Sequence, residues 1–523
     1  MITSYTVRIM TAAKNFNPHS KQHLTILSLT QPVTFQASRQ YLTFLTFLTL
    51  LTFLTSLTVP VFAQNTDGRF SEAEIIMKRA NGFRGIWYMN QPSNDEYVYK
   101  YSGGLAVYPA NHRPFAIYAR QVDKTFFCFG GTDDANSTLM HNVSYFDHRT
   151  GKVANPLTIL DKKTTDAHDN PVISIDDNGY IWIFSTSHGI TRPSYIHKSK
   201  KPFDIADFER IHATEIVDGK PQSFTNFSYF QVYPVKGKGF IALFTKYNKA
   251  GQRVIGYNTT ADGVHWNEWK VLAHIEEGHY QISTERNGKV GVAFDFHPKG
   301  KGLNYRTNLH YLETSDFGKT WQNIGGETAQ LPLTSAQNLA TVHDYASEKR
   351  NCYLLDITFD TDNKPAILVV VSKGYEAGPA NGPRKWTLYR PDQYGWQHHI
   401  VTTSDNNYDM GSVYHVSKNS WRVVGPAVDG PQAYNPGGEV AMWRSDDGGR
   451  QWALERQLTR NSPMNHSYVR KPVNAQDGFY AIWADGHGRK PSESFLYFSN
   501  AVGDVYRLPR HGDAPMLAPQ PVK

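Results

Sequence analysis

Two histidines at the ends of one predicted β-hairpin are the side chains best placed to transfer protons. His168 lies shortly before an apolar run that starts at Pro171, and His188 follows the return run that ends near Ser185. Because both ends of an antiparallel hairpin lie at the same edge, we expect the two imidazoles on one face of the protein. Histidine titrates near neutral pH, so such a pair is suited to acid–base chemistry.

Tyrosine and arginine side chains follow in the next predicted hairpins. Tyr229 and Tyr233 share one strand, Arg253 lies beyond the return strand, and Tyr305 and Arg306 follow the hairpin after that. Arginine binds a carboxylate through its planar fork, and tyrosine or histidine can move a proton. Removal of the proton beside a carboxylate, with protonation of a leaving oxygen, needs these groups. The set therefore favours β-elimination from a uronic acid.

Seven short hairpins recur along the chain and must position these residues. Their sequences are AIYARQVDKTFFCF, NPVISIDDNGYIWIF, FQVYPVKGKGFIALF, YQISTERNGKVGVAF, YLLDITFDTDNKPAILVV, GSVYHVSKNSWRVVG and YVRKPVNAQDGFYAIW. Successive turns are 49 to 75 residues apart, which leaves room for two further strands in each unit. Seven four-stranded units arranged radially describe an all-β, seven-bladed β-propeller.

A second motif agrees with a propeller. Residues 314–321 (TSDFGKTW) and 445–452 (SDDGGRQW) fit the pattern S/T-x-D-x-G-x-x-W, and residues 260–266 are a shorter relative. This is the Asp-box, in which Asp and Gly close a tight turn and Trp packs into the blade. The boxes indicate the fold and make no prediction about chemistry.

The N-terminus predicts export. Residues 1–63 contain four basic residues and no acidic one, and end in a long apolar run with Val61-Phe62-Ala63 as a cleavage pattern. We expect a signal peptide with a long leader over 1–63, one catalytic domain over 64–523, and a secreted or periplasmic location. An uncleaved membrane anchor is the alternative, since the run is long enough to span a bilayer.

The remaining composition limits the partners. Without its leader the chain has a formal charge of only +3, and no basic run or nucleic-acid motif stands out, so we expect no nucleic-acid partner. We also expect no membrane association after cleavage, and a monomer. Cys128 and Cys352 are 224 residues apart and are expected to be buried free thiols, although export permits a disulfide.

Four segments resemble the BNR-repeat proteins that include the seven-bladed ulvan lyases. They are KTTDAHDNPVISIDDNGYIWIFSTSHGITRPSYIHKS, DNNYDMGSVY, GGEVAMWRSDDGGRQW and NHSYVRKPVNAQDGFYAIWADG, and the similarity covers roughly residues 85–510. DAHDNP, with SHG some twenty residues later, is the most specific part. The resemblance implies a lyase that cleaves the acidic, sulfated polysaccharide ulvan next to glucuronic or iduronic acid and leaves an unsaturated uronate.

The resemblance also implies roles for individual residues. His168 and His188 match the family's catalytic histidine pair. Tyr233 is the expected base or acid, with Tyr229 as the alternative, and Arg253 is the expected neutraliser of the carboxylate, with Lys246 as the alternative. Catalysis is expected to need no cofactor. The remaining expected residues are the substrate-binding Tyr229, Tyr305 and Arg306 and, because some relatives hold a structural metal ion, the zinc ligands His297, His343 and Cys352.

Two other functions stay open from the sequence. A glycoside hydrolase of related fold would use carboxylates such as Asp166, Asp169 or Asp409, because glycoside hydrolysis usually needs two of them. A non-catalytic carbohydrate-binding propeller would need no reactive groups. Only a lyase would leave an unsaturated product and lose turnover without its histidine or tyrosine.

Overall fold

The computed structural model describes residues 73–107, 111–133, 135–189 and 192–522. The predicted signal peptide over 1–63 lies outside these residues. Within them the regular elements are β-strands and two 3₁₀ turns, Ala167–Asp169 and Pro379–Asn381. No helix in these ranges has the length and apolar character needed to cross a membrane.

The described strands form eight sheets, seven of which have four or more strands. The first sheet contains β1 (Glu74–Arg79), β4 (Ala116–Ala119), β5 (Lys124–Thr132), β6 (Leu139–Asp147), β7 (Lys152–Ala154), β8 (Leu157–Asp161) and β36 (Met516–Leu517). A separate hairpin pairs β2 (Trp87–Pro92) with β3 (Tyr99–Gly104). The second sheet contains β9 (Pro171–Ile175), β10 (Ile181–Ser185), β11 (Tyr195–Ser199) and β12 (Phe208–Ile211).

The third and fourth sheets follow in chain order. The third contains β13 (Thr214–Val217), β14 (Lys220–Ser223), β15 (Ser228–Val235), β16 (Gly239–Tyr247), β17 (Arg253–Thr260), β18 (His265–Glu268) and β19 (Lys270–Ala273). The fourth contains β20 (Gln281–Arg286), β21 (Lys289–Phe296), β22 (Thr307–Thr314) and β23 (Thr341–His343).

The last three sheets complete the described chain. The fifth contains β24 (Asn351–Phe359), β25 (Pro365–Ser372), β26 (Arg384–Asp392) and β27 (Gly395–Ser404). The sixth contains β28 (Ser412–His415), β29 (Trp421–Val428), β30 (Glu439–Ser445) and β31 (Ala453–Gln457). The seventh contains β32 (Asn465–Arg470), β33 (Ala481–Gly486), β34 (Leu496–Ser499), β35 (Val505–Arg507) and β37 (Gln520–Val522).

Each of the seven hairpins predicted from the sequence is present, and its first and second strands form an antiparallel pair at one edge of a sheet. The first strands of successive hairpins contact one another, which makes the fold an all-β propeller. Contacts join β4 to β9, β9 to β15, β15 to β20, β20 to β24, and β24 to β28. The residues before a first strand and after a second strand therefore lie at one end of these strands.

Burial follows the position of a strand within its sheet. All eight residues of β25 are buried, because neighbouring sheets cover both of its faces, whereas the outer strand β31 is mostly exposed. Trp386 of β26 illustrates the packing between sheets. A Cβ added at Gly411 or Gly425 would lie 2.6 Å or less from the Trp386 ring, so only glycine leaves room for the indole.

The predicted Asp-box turns have the expected hydrogen bonds. Asp316 accepts a bond from the Thr320 amide, and the Gly318 amide donates to Thr314 Oγ1 at 3.0 Å. Gly318 has φ +80°, a backbone conformation that favours glycine, and the Trp321 ring is buried. Residues 445–452 repeat this arrangement.

Candidate functional site

A cavity of about 230 Å³ lies at the end of the strands where β9 begins and β10 ends. It collects residues that come just before a first strand, just after a second strand, or at the start of a third. The histidines, tyrosines and arginines that line it are Tyr101, His168, His188, Tyr229, Tyr247, Arg253, Tyr280, Arg306 and Tyr408. The structure thus brings together His168, His188, Tyr229, Arg253 and Arg306, as the sequence predicted.

Asp166 holds the two histidines together. Its Oδ1 accepts bonds from the backbone amide of His168 at 3.0 Å and from His168 Nδ1 at 2.5 Å. Its Oδ2 accepts a bond from His188 Nδ1 at 2.7 Å. The two imidazoles stack with ring centroids 4.1 Å apart and an interplanar angle of 16°. A carboxylate bound to both Nδ1 atoms fixes which ring nitrogen carries the proton in each histidine.

Asp166 is fixed in position because it lies immediately before a 3₁₀ turn. Its side chain accepts the His168 amide of the turn Ala167–Asp169, which is the usual role of aspartate at such a position. Arg192 donates to Oδ2 of Asp166 at 2.8 Å and to Asp169 through two bonds. Lys162 lies 3.4 Å from Asp169 and is buried with it. These ion pairs hold Asp166 and Asp169 in place next to the histidine pair.

Burial and charge set the protonation of this group. Burial would raise the pKa of Asp166, but His168 and His188 outweigh it and hold that pKa well below its usual range. Burial lowers the pKa of His168, with Asp166 opposing the shift. His168 is only 4% exposed and bonds Tyr101 Oη through Nε2 at 2.6 Å, whereas the His188 side chain is 41% exposed. His188 is therefore the histidine that a ligand can reach.

Tyr229 enters the cavity because of an irregularity in β15. The pairing register of β15 with β16 shifts between Ser228 and Gln231, and Tyr229 has φ +50°, which is rare for an aromatic residue. Such a bulge redirects a side chain. The Tyr229 ring contacts His168 edge-on with centroids 6.1 Å apart, and also packs against His112 and Tyr280.

Tyr280 lies between two arginines at the other wall of the cavity. The guanidinium carbon of Arg306 is 3.9 Å, and that of Arg253 4.3 Å, from the Tyr280 ring centroid. Burial would raise the pKa of Tyr280, but Arg253 and Arg306 outweigh it and lower that pKa below its ordinary value. The Tyr229 and Tyr280 rings meet edge-on with centroids 5.2 Å apart, and burial raises the pKa of Tyr229 well above its ordinary value. The arginines thus favour loss of the Tyr280 proton, whereas burial favours the neutral form of Tyr229.

The structure corrects the choice of tyrosine. Tyr233 does not lie at the histidine pair, because its hydroxyl donates to the Ser283 carbonyl oxygen at 2.6 Å in a different cavity. Four residues along β15 separate it from Tyr229, a distance of about 13 Å in a strand. Tyr229, the alternative, occupies the predicted place. Lys246, the alternative to Arg253, instead bonds Glu215 at 2.5 Å and does not line the cavity.

Tyr305 is a second correction. It is half-buried near Lys301 and is absent from the cavity lining, although the next residue, Arg306, points into the site. The Tyr305 amide donates to the Gly302 carbonyl oxygen in a turn just before β22, and this turn leaves the Tyr305 side chain outside the cavity.

The predicted zinc ligands His297, His343 and Cys352 are not grouped at metal-ligand spacing in the described residues. His343 Nε2 bonds Glu348 at 2.6 Å, and His297 Nε2 lies 3.3 Å from the Arg253 guanidinium. Cys352 is a buried free thiol, and burial raises the pKa of its thiol well above the ordinary value. Within the described ranges the one group with metal-ligand spacing is Asp166, His168 and His188, whose ligand atoms already bond one another. Both cysteines are free and buried, as predicted.

Tyr280 also lines the cavity and is not among the residues predicted from the sequence. It precedes β20 just as His168 precedes β9, so its place in the hairpin repeat was an available signal. The carboxylates considered for a hydrolase lie elsewhere. Asp169 is buried against Lys162 and Arg192, and Asp409 is buried and accepts the amides of residues 406 and 437. Neither Asp166, Asp169 nor Asp409 lines the cavity.

The protein is an all-β propeller with a cavity lined by histidine, tyrosine and arginine. Residues 142–415 match the family described as BNR repeat-containing family member. This match covers more than half of the chain, and the protein belongs to that BNR-repeat family.

Curated relatives and a solved structure are similar over much of the chain. The ulvan lyase of Nonlabens ulvanivorans is 24% identical over 324 residues, which cover 55% of this chain and 64% of that protein. The ulvan lyase of Alteromonas sp. (strain LOR) is 21% identical over 321 residues, covering 55% of this chain and 62% of that protein. The chain thus matches a little under two thirds of each relative.

The solved structure is a PL25 ulvan lyase bound to -[GlcA(1-4)Rha3S]-. It superposes with a TM-score of 0.61 at 16% identity, covering 81% of this chain and 96% of that one. At this identity the likeness establishes a common fold.

Proposed function

We propose that this protein is a polysaccharide lyase that cleaves ulvan by β-elimination next to a uronic acid. One observation supports this most strongly: the Asp166-linked histidine pair shares one cavity with the Tyr229–Tyr280 pair and Arg253, and among the described residues no carboxylate lines that cavity. The curated relatives named ulvan lyase support the choice of substrate. So does the neighbouring structure with a bound glucuronate-containing oligosaccharide.

The arginines bind and neutralise the uronate carboxylate. Arg253 lines the cavity, is held against Tyr229 and Tyr280, and has no carboxylate partner among its hydrogen bonds in the described residues. Its charge is therefore available to an incoming anion. Neutralising the carboxylate lowers the free energy of the negative charge that develops when the adjacent carbon loses its proton.

The two tyrosines divide the proton transfers. Tyr280, whose pKa is lowered by Arg253 and Arg306, loses its proton more readily and removes the proton beside the carboxylate. Tyr229, whose pKa is raised, keeps its proton and gives it to the leaving glycosidic oxygen. Neighbouring groups with pKa values shifted in opposite directions identify the acid and the base. His188 contacts the substrate, and His168 and Asp166 hold His188 in position.

The alternatives make different demands on the site. A hydrolase needs carboxylates on both sides of the scissile bond, and Asp166, Asp169 and Asp409 are all engaged in internal hydrogen bonds. A carbohydrate-binding propeller needs no pair of tyrosines with divergent acidity. The lyase is the function that uses every unusual feature of the cavity.

Incubating the full chain with ulvan while recording ultraviolet absorbance tests the proposal. We expect absorbance to rise as unsaturated uronate forms, and no rise with uronate polymers that lack sulfate. New reducing ends without absorbance would mean a hydrolase, and binding without either signal would mean a binding module. Either of these two results would refute the lyase.

Further features belong to the same proposal. We propose that the seven sheets of four or more strands are seven blades, each with one of the predicted hairpins at its inner edge. Residues 1–63 act as a cleaved signal, and residues 64–523 form one secreted or periplasmic domain that works as a monomer. The partner is the acidic polysaccharide, with neither nucleic acid nor membrane bound. The basic leader and its apolar run support export.

A further inference from the structure

A larger cavity, of about 1320 Å³, opens at the opposite end of the first strands. Its lining includes the hairpin turns at residues 176–177, 236–237 and 286–287, whereas the candidate active site lies where these hairpins begin. On β15, Tyr229 lines the small cavity and Tyr233 the large one. The two cavities are therefore separate, about 13 Å apart along that strand.

Two cations share one buried carboxylate in this large cavity. Arg113 Nη1 lies 2.7 Å from Asp356 Oδ1, and Lys471 Nζ lies 3.5 Å from Asp356 Oδ2. Asp356 also accepts the amides of Val413 and Ile357, so its lone pairs are largely used. The Arg113 and Lys471 side chains are 13% and 14% exposed and line the cavity. One carboxylate neutralises only one of these two charges.

The positive excess extends through the lining. Arg470 is also buried there, and Glu285, another carboxylate of the lining, accepts the Gly288 amide. Taken together, seven Lys and Arg residues and five Asp and Glu residues line the cavity. A cavity with excess buried cations attracts anions and binds them more strongly than an exposed surface would.

One wall offers aromatic surface beside these charges. Tyr414 and Tyr480 stack with ring centroids 4.2 Å apart, and Lys471 Nζ lies 5.5 Å from the Tyr414 ring centroid. Both tyrosines line the cavity. A polar ring compound with an anionic substituent would meet an aromatic wall and cations together, and the volume admits more than one sugar ring.

We propose that the large cavity is a second binding site, which takes an oxyanion group, sulfate or carboxylate, through Lys471 and Arg113. Its ligand is either a saccharide that bears such a group or the free inorganic ion. The site lies outside the candidate active site and does not depend on lyase activity.

Calorimetric titration of the full chain with inorganic sulfate, glucose 6-sulfate and glucuronate tests the proposal. Lys471→Met removes one cation and keeps the Arg113–Asp356 pair, and should weaken binding about tenfold or more, because hydrogen bonds to charged groups are strong. Glu285→Gln removes a negative charge and keeps the acceptor for Gly288, and should tighten binding. Lys238→Met, at an exposed residue outside the lining, is the matched control and should change nothing.

The comparison of ligands identifies the source of the oxyanion. Tighter binding of glucose 6-sulfate than of inorganic sulfate would identify a saccharide, whereas equal binding would identify the free ion, and either result supports the site. Absence of saturable binding by all three probes would refute it. So would binding that Lys471→Met and Glu285→Gln leave unchanged, because the ligand would then lie elsewhere.

Discussion

Replacing Asp166 with asparagine tests whether this carboxylate organises the histidine pair. Asparagine keeps the size of the side chain, removes its charge and turns one acceptor oxygen into a donor nitrogen. Each oxygen of Asp166 accepts two bonds, from the His168 amide and His168 Nδ1 on one side and from His188 and Arg192 on the other. Whichever side receives the nitrogen, two donors lose their acceptor.

The expected loss in the free energy of unfolding follows from these bonds. Hydrogen bonds to a charged group contribute about 1.5–3 kcal/mol each. Arg192 keeps Asp169 as a partner and His188 is partly exposed, so the loss falls near the lower end. We expect the free energy of unfolding at neutral pH to fall by about 3 kcal/mol. Turnover should fall about 100-fold, since misplacing a reacting group by an ångström has that effect.

The pH dependence of this loss has a definite sign. The pKa of Asp166 is depressed in the folded protein, and aspartate in an unfolded chain has a pKa of about 3.9. The carboxylate therefore stabilises the fold above about pH 4, and this contribution disappears as the pH falls through the folded pKa. The difference in stability between wild type and Asp166→Asn should be full at pH 7 and shrink in acid.

Denaturant unfolding at several pH values and steady-state kinetics on ulvan measure both effects. Asp262→Asn is the matched control, because Asp262 also bonds a histidine Nδ1, that of His265 at 2.7 Å, but in an exposed Asp-box. Asp262→Asn should lower the free energy of unfolding and leave turnover unchanged. Turnover of Asp166→Asn equal to that of Asp262→Asn would refute the positioning role of Asp166.

Three further predictions concern the tyrosines, the arginines and the leader. Tyr229→Phe should lower turnover about 100- to 10,000-fold and leave product binding intact. Tyr233→Phe, the control on the same strand, should lose about 1 kcal/mol of stability with its Ser283 bond and keep turnover. The lowered pKa of Tyr280 predicts that kcat/KM rises with pH to an inflection below 10. Arg306→Gln should move that inflection upward by about one unit or more, and an unmoved profile would exclude Tyr280 as the base. N-terminal sequencing of exported protein should begin at Gln64, and retention of residues 1–63 would contradict signal cleavage.

Local patterns made much of the fold predictable. The seven hairpins and the Asp-boxes are formed by residues close in sequence, so alternating apolar residues and turn residues suffice to identify them. His168 and His188 were predictable for the same reason, because one hairpin positions both.

The rest of the site depends on contacts that local patterns do not contain. Tyr229 and Tyr233 are four residues apart on one strand, so the alternation of side chains predicts that both lie on the same face. Only the bulge at Ser228–Gln231 distinguishes them. The pKa of Tyr280 is lowered because Arg253, at the start of β17, and Arg306, just before β22, both contact its ring. The zinc ligands were expected from the family resemblance alone, and the structure places His343 beside Glu348 and His297 beside Arg253.

The fate of water tests the central claim most directly. Elimination breaks the glycosidic bond without water, whereas hydrolysis adds a water oxygen to the product. Mass spectrometry of ulvan products formed in heavy-oxygen water separates the two reactions at the first turnover. The site geometry predicts products with an unsaturated uronate and no incorporated label. Incorporation of the heavy oxygen into saturated products would contradict elimination and the roles assigned to Tyr229 and Tyr280.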